Sequence, residues 1–66
     1  METQIKESLI LLLSGINHSD GDVVAAETAR LDTLLAQGRG KLPAQLEHFL
    51  ERRSYSKALA LLGGRV

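Results

Sequence analysis

The sequence predicts an all-α fold, three to four short helices in an antiparallel bundle completed by a second subunit. Three observations predict it. Apolar residues recur at three- and four-residue spacing, and nothing alternates at period two for long enough to form a strand. Glycines at positions 15, 21, 38, 40, 63 and 64 fall close to the helix boundaries that other signals suggest. Five consecutive aliphatic residues, 9–13, reach all the way around one helix, whereas a helix facing a single core needs only a stripe.

The first helix is expected over about residues 3–14, with Ile5, Leu9, Leu12, Leu13 and Ile16 on one face. Gly15 suits the left-handed position just past its end, which would let Ile16 fold back onto Leu11. The second helix is expected over about residues 20–37. Ser19 and Asp22 fit the S-x-x-D capping pattern, Asp20 and Asp22 favour the positive end of the dipole, and Gly38 closes it. Val24, Thr28, Leu31, Leu34 and Leu35 make one face of this helix, and Ala25, Ala26, Ala29 and Ala36 fall largely opposite. Arg39-Gly40-Lys41 reads as a loop. Pro43 then opens a third helix, at the first helical position, that runs to about Arg53. Ser54 is the expected N-cap of a fourth helix over residues 55–62, stopped by Gly63, although helices three and four could also be one bent helix. Core residues from this half are Leu42, Leu46, Phe49, Leu50, Tyr55, Ala58, Leu59 and Leu62.

The chain has 66 residues and forms one domain at most. A domain this short buries about 60% of the surface its unfolded chain exposes, so it usually needs a staple. There is no cysteine, which removes disulfides, iron–sulfur clusters and thiolate zinc sites. Two histidines, His18 and His48, make no metal site by themselves, and neither has a placed Ser or Cys partner for nucleophilic catalysis. The first residues carry acids where a secretory signal would be basic, and the longest apolar run is five residues. A cytoplasmic protein that does not enter the membrane is expected.

Net charge is zero but unevenly placed. Residues 1–38 hold six acids against Lys6 and Arg30, a net −4, and residues 39–66 hold six bases against Glu47 and Glu51, a net +4. The two halves can attract each other within one chain or between two copies. Alternatively the basic half can meet nucleic acid.

Four short motifs fail on context. Gly38-Arg39-Gly40-Lys41 has the wrong spacing for a phosphate loop, lacks the preceding strand and has Leu42 where Ser or Thr is needed. Asp20-Gly21-Asp22 with Glu27 copies the later half of a calcium loop, but Ile16 and His18 stand where oxygen ligands are required. Ser54-Tyr55-Ser56-Lys57 spells S-x-x-K without the two further motifs of that chemistry. Leu61-Leu62-Gly63-Gly64 resembles a diglycine conjugation tail but has two residues after it and no ubiquitin-like strands before it.

The sequence therefore points to a non-enzymatic interaction or assembly module, with no cofactor, metal or small-molecule substrate. Its expected partner is a second copy or another protein, met through Leu9, Ile10, Leu11, Leu13, Ala26 and Ala29. The alternative is a small nucleic-acid-binding regulator resembling a helix-turn-helix, with a basic patch of Arg39, Lys41, Arg52, Arg53 and Lys57. Against the alternative, the break at Ser54 looks shorter than the usual turn and holds no glycine.

Overall fold

The first helix outruns its sequence signals. In the computed structural model, which describes residues 2–63, α1 spans Glu2–Asn17 and continues through Gly15. The left-handed residue that ends it is Ser19, at φ 55°. Ser19 N–H donates to the Ile16 carbonyl at 3.2 Å and Asp20 N–H to the Gly15 carbonyl at 2.8 Å, the paired bonds of a Schellman ending. Gly15 serves packing instead. A Cβ built on it would lie 2.9 Å from Val23 Cγ1, so the missing side chain lets α1 and α2 approach. Ile16 stays helical and does not fold back; Ile16 and Leu11 are both exposed.

The second helix, α2, spans Gly21–Gly38. Its N-cap is Asp20, whose carboxylate accepts from Val23 N–H at 3.2 Å, and not Ser19, which is held in the preceding turn. Gly38 is the last helical residue. The left-handed residue is Gly40, at φ 83°, and Lys41 N–H donates to the Gly38 carbonyl at 2.8 Å. With Arg39 at φ −57°, ψ 129°, residues 38–41 form a type II turn.

Pro43 is the N-cap of α3 (Ala44–Glu51), one residue before the expected position. At φ −55°, ψ 137° its backbone is still extended. Helices three and four are separate. Arg53 takes a left-handed φ of 57°, Arg53 N–H donates to the Leu50 carbonyl at 3.2 Å, and Ser54 N–H donates to the Phe49 carbonyl at 2.8 Å. This is a second Schellman ending, with an arginine where glycine is usual. Ser54 then precedes α4 (Tyr55–Leu61), but its hydroxyl makes no capping bond. Gly63 ends α4 at φ 76°. Gly64 of the diglycine reading and Arg65 of the basic half lie outside the described residues.

The four helices close into a ring, α1 on α2, α2 on α3, α3 on α4 and α4 back on α1. All-α architecture is thus what the chain adopts. Ile5, Leu9, Leu12, Leu31, Leu46, Ala58 and Leu59 are at most 2% exposed and form the centre of one core, with Leu34, Leu35, Leu42 and Leu50 around them. Phe49, Tyr55, Leu13, Val24 and Leu62 pack half-buried against it. The Cα radius of gyration is 10.8 Å, against about 10.8 Å for a folded chain of this length. The accessible surface is 4147 Å², where a folded monomer of 7.2 kDa exposes about 4,100 Å². The amount of exposed surface is therefore ordinary, and any case for a partner must rest on its composition. Among the described residues no helix is long and apolar enough to cross a membrane.

One polar group sits inside this core. Ser8 is 0% exposed and its hydroxyl donates to Glu27 Oε1 at 2.7 Å, tying α1 to α2. Glu27 also faces Arg30 at 3.5 Å. Removing a hydrogen bond to a charged acceptor costs about 1.5–3 kcal/mol. Ser8→Ala is expected to lower the thermal midpoint by roughly 6–24 °C, scaling with about 4–8 °C per kcal/mol for a domain of this size. An unchanged midpoint would mean that water satisfies the carboxylate equally well.

Candidate functional site

The outer side of α1 and α2 is the surface to account for. On α1 the enclosed stripe is Ile5, Ser8, Leu9, Leu12 and Gly15. Ile10 and Leu11 fall on either flank of that stripe and remain 38% and 47% exposed. Two residues expected in the interface belong inside. Leu9 is 0% exposed in the core of its own chain and Leu13 packs half-buried against that core, because both continue the face that starts at Ile5. Leu9 has no free surface to give a partner, while Leu13 keeps part of its own.

The register of the α1–α2 hairpin locates Leu11. Ser8 meets Glu27 and Gly15 meets Val23, so the helices run antiparallel. Leu11 lies between Ser8 and Gly15 on the edge of α1 that borders α2. Across the seam, Ala26 lies between Val23 and Glu27. Ala25, Ala26, Ala29 and Ala36 are all exposed, on the side of α2 away from the core. Exposed aliphatic side chains on α1 and a row of alanines on α2 are therefore parts of one outer surface. Charges of both signs border it, with Lys6 and Glu7 one turn before Ile10 and Leu11, Asp22 one turn before Ala25 and Ala26, and Arg30 one turn after Ala26.

Two more exposed aliphatics escaped the sequence reading, Ile16 at 51% and Leu61 at 42%. Ile16 shares the periodicity of the core stripe, but it lies in the last turn of α1, and periodicity gives a face without saying where cover ends. Leu61 had a legible signal. It is two residues from buried Leu59, which places it on the far side of a helix.

Two of the five basic residues, Arg39 and Arg53, are held in ion pairs. Arg39 forms an ion pair with Glu51, fastening the α2–α3 loop to the end of α3. Arg53 reaches Asp32 at 3.7 Å and donates to the Tyr55 hydroxyl at 3.0 Å. Arg53–Asp32 is the one ion pair among the described residues that joins the acidic half to the basic half, and both side chains are more than half exposed. Exposed pairs of this kind contribute about 0–1 kcal/mol. Lys41, Arg52 and Lys57 are exposed and have no acidic partner within the described residues.

His18 uses its ring locally, its Nδ1 lying 2.8 Å from the Ser14 carbonyl at the end of α1. His48 stacks at a tilt beside Phe49, with ring centroids 6.2 Å apart. Among the described residues no pocket forms and no three His, Asp or Glu side chains gather at metal-binding distance. What the geometry offers is a surface, apolar at its centre and charged at its rim. No protein-family model, curated protein or solved structure matches the chain.

Proposed function

We propose that the chain is a cytoplasmic, non-enzymatic assembly module that works by self-association, a second copy covering the outer face of α1. The observation that carries this reading is the joint exposure of Ile10 and Leu11 on α1, with Leu11 on the edge that borders α2 and its exposed alanines. Small residues let another helix approach closely, and the aliphatic pair supplies the apolar centre.

The magnitudes set the strength of such a dimer. Fully burying one large aliphatic side chain is worth about 1.5–3 kcal/mol, and these are already partly covered. Four of them across a two-fold contact contribute roughly 3–6 kcal/mol, while a micromolar dissociation constant needs about 8 kcal/mol net. The remainder falls to the alanines and the charged rim, so micromolar self-association is the expected regime. Sedimentation at tens of micromolar should then give a mass near twice 7.2 kDa. The charge-neutral double variant Ile10→Lys/Leu11→Glu should sediment as a monomer and keep its helical circular dichroism. A variant with the same mass as the parent chain would refute this interface.

A second reading has one observation in its favour. The break between α3 and α4 is three residues, 52–54, with Arg53 in the left-handed conformation. The objection that this turn is too short for a helix-turn-helix is therefore removed. In that reading Arg52, Lys57 and Lys41 would contact phosphates. The exposed positions of α4, however, are Ser56, Lys57, Ala60 and Leu61, which offer little to base edges. A gel shift at low salt should show no retardation at micromolar protein. Retardation that fades steeply between about 50 and 200 mM salt would favour the nucleic-acid reading instead.

A further inference from the structure

Charge is arranged along the outer side of α2 so that the helix can meet its own copy. Asp22, Ala26 and Arg30 follow one another at four-residue spacing and form a single ridge of acid, small residue and base. Asp22 is exposed and has no basic partner of its own chain among the described residues. Arg30 meets Glu27 through one nitrogen at 3.5 Å and its side chain is 39% exposed, which leaves guanidinium donors for a second carboxylate. Ala26, at the middle of the ridge, is exposed, and Leu11 of α1 stands level with it across the seam. Lys6 and Glu7 lie at the Arg30 end of the hairpin, because Ser8 is level with Glu27, and their charges offset each other.

Ridges of four-residue spacing interdigitate in the commonest class of helix packing, and small side chains bring the axes close. A two-fold axis beside Ala26, perpendicular to α2, lays this ridge against its copy in the opposite direction. Asp22 of each chain then faces the partner's Arg30, and the axis makes that contact twice. A two-fold axis running along α2 would instead set Asp22 against the partner's Asp22 and Arg30 against the partner's Arg30, like charges at both ends. Resting on the self-association reading above, we propose that the second copy docks α2 on α2 in antiparallel fashion, with Ala26 at the two-fold axis and Asp22 paired with the partner's Arg30. Ala25 and Ala29 lie on the far side of α2 from Val23 and Glu27, the residues that face α1. Leu11 of each copy therefore comes to rest on the partner's Ala25 and Ala29.

The whole chain serves for the test. It has no cysteine, so one introduced thiol reports only on its own copy. Ala26→Cys should convert to a disulfide-linked dimer under mild oxidation, since bridging needs Cα atoms within about 7 Å of each other. Ala36→Cys, also exposed but about three turns along α2, should stay a thiol. On sedimentation, Asp22→Arg and Arg30→Asp should each weaken association by at least about 10-fold, because each sets like charges together across the axis. The double variant Asp22→Arg/Arg30→Asp should recover the parent's association, and so should an equimolar mixture of the two single variants. Circular dichroism checks that each is folded, and the two cysteine variants decide the matter where a charge variant fails to fold. Linking of Ala36→Cys as readily as Ala26→Cys, or a folded double variant no better than either single one, would overturn this register while leaving self-association in place. A parent chain that is monomeric at tens of micromolar would overturn both.

Discussion

Leu9→Ala is expected to leave much of the population unfolded at 25 °C, while Leu11→Ala, two positions along the same helix, shifts stability by no more than about 0.5 kcal/mol. Leu9 is 0% exposed at the centre of the core, and Leu11 is 47% exposed. Truncating a fully enclosed leucine costs about 3–5 kcal/mol, because the transfer energy is lost and a cavity remains. A domain of this size has a total stability of only about 5 kcal/mol, so one such loss consumes most of it. Urea titration at about 1 µM measures both variants below the concentration at which self-association would add stability of its own. Equal losses for the two would mean that α1 presents a different face to the core.

The second large effect is at Gly15. In an ordinary helix interior Gly→Ala gains about 1 kcal/mol. Here the new methyl lands 2.9 Å from Val23 Cγ1, 3.2 Å from Val23 Cβ and 3.4 Å from Val24 Cγ2. The helices must separate to admit it, and overpacking of this kind costs about 1–3 kcal/mol. Gly15→Ala is therefore expected to be neutral to destabilising by about 2 kcal/mol, opposite to its propensity. The double variant Gly15→Ala/Val23→Ala should recover more than the sum of the single changes allows, a coupling of about 1 kcal/mol in a denaturation cycle. A single variant more stable than the parent would show that α1 and α2 part freely at this point.

These two cases also mark how far the sequence could be read. The all-helical class, the core faces of α2, α3 and α4 and the exposure of Ile10 and Leu11 follow from periodicity, which is a property of the sequence alone, while the count stays at three to four until the turn at residues 52–54 is seen. The ends were harder. Gly15 and Gly38 stand within three residues of real boundaries, yet both are helical, and the left-handed roles fall to Ser19 and Gly40. Glycine at a helix end signals either a left-handed residue or a close approach, and only a packed neighbour such as Val23 distinguishes them. Arg53 was illegible for a related reason, since no local rule places arginine at positive φ. The turn there stands between two core residues, Leu50 and Leu59, on successive helices. For the surface, Leu9 and Leu13 fall both on the face that starts at Ile5 and among the expected interface residues, because an unbroken aliphatic run offers no contrast between inside and outside. The paired and unpaired bases are likewise alike in composition, and only the fold puts Arg39 beside Glu51 and Arg53 beside Asp32.

The closed ring of helices has a consequence for biosynthesis. α1 begins at Glu2 and packs against α4, which begins at Tyr55. On the ribosome the greasy stripe of α1 has α2 to lean on early, but its other flank stays wet until the fourth helix emerges. Cooperative closure waits for that last partner and for the long chain excursion that joins it to the first. A nascent polypeptide halted before Tyr55 should therefore behave as a sticky hairpin and not as a smaller version of the finished domain.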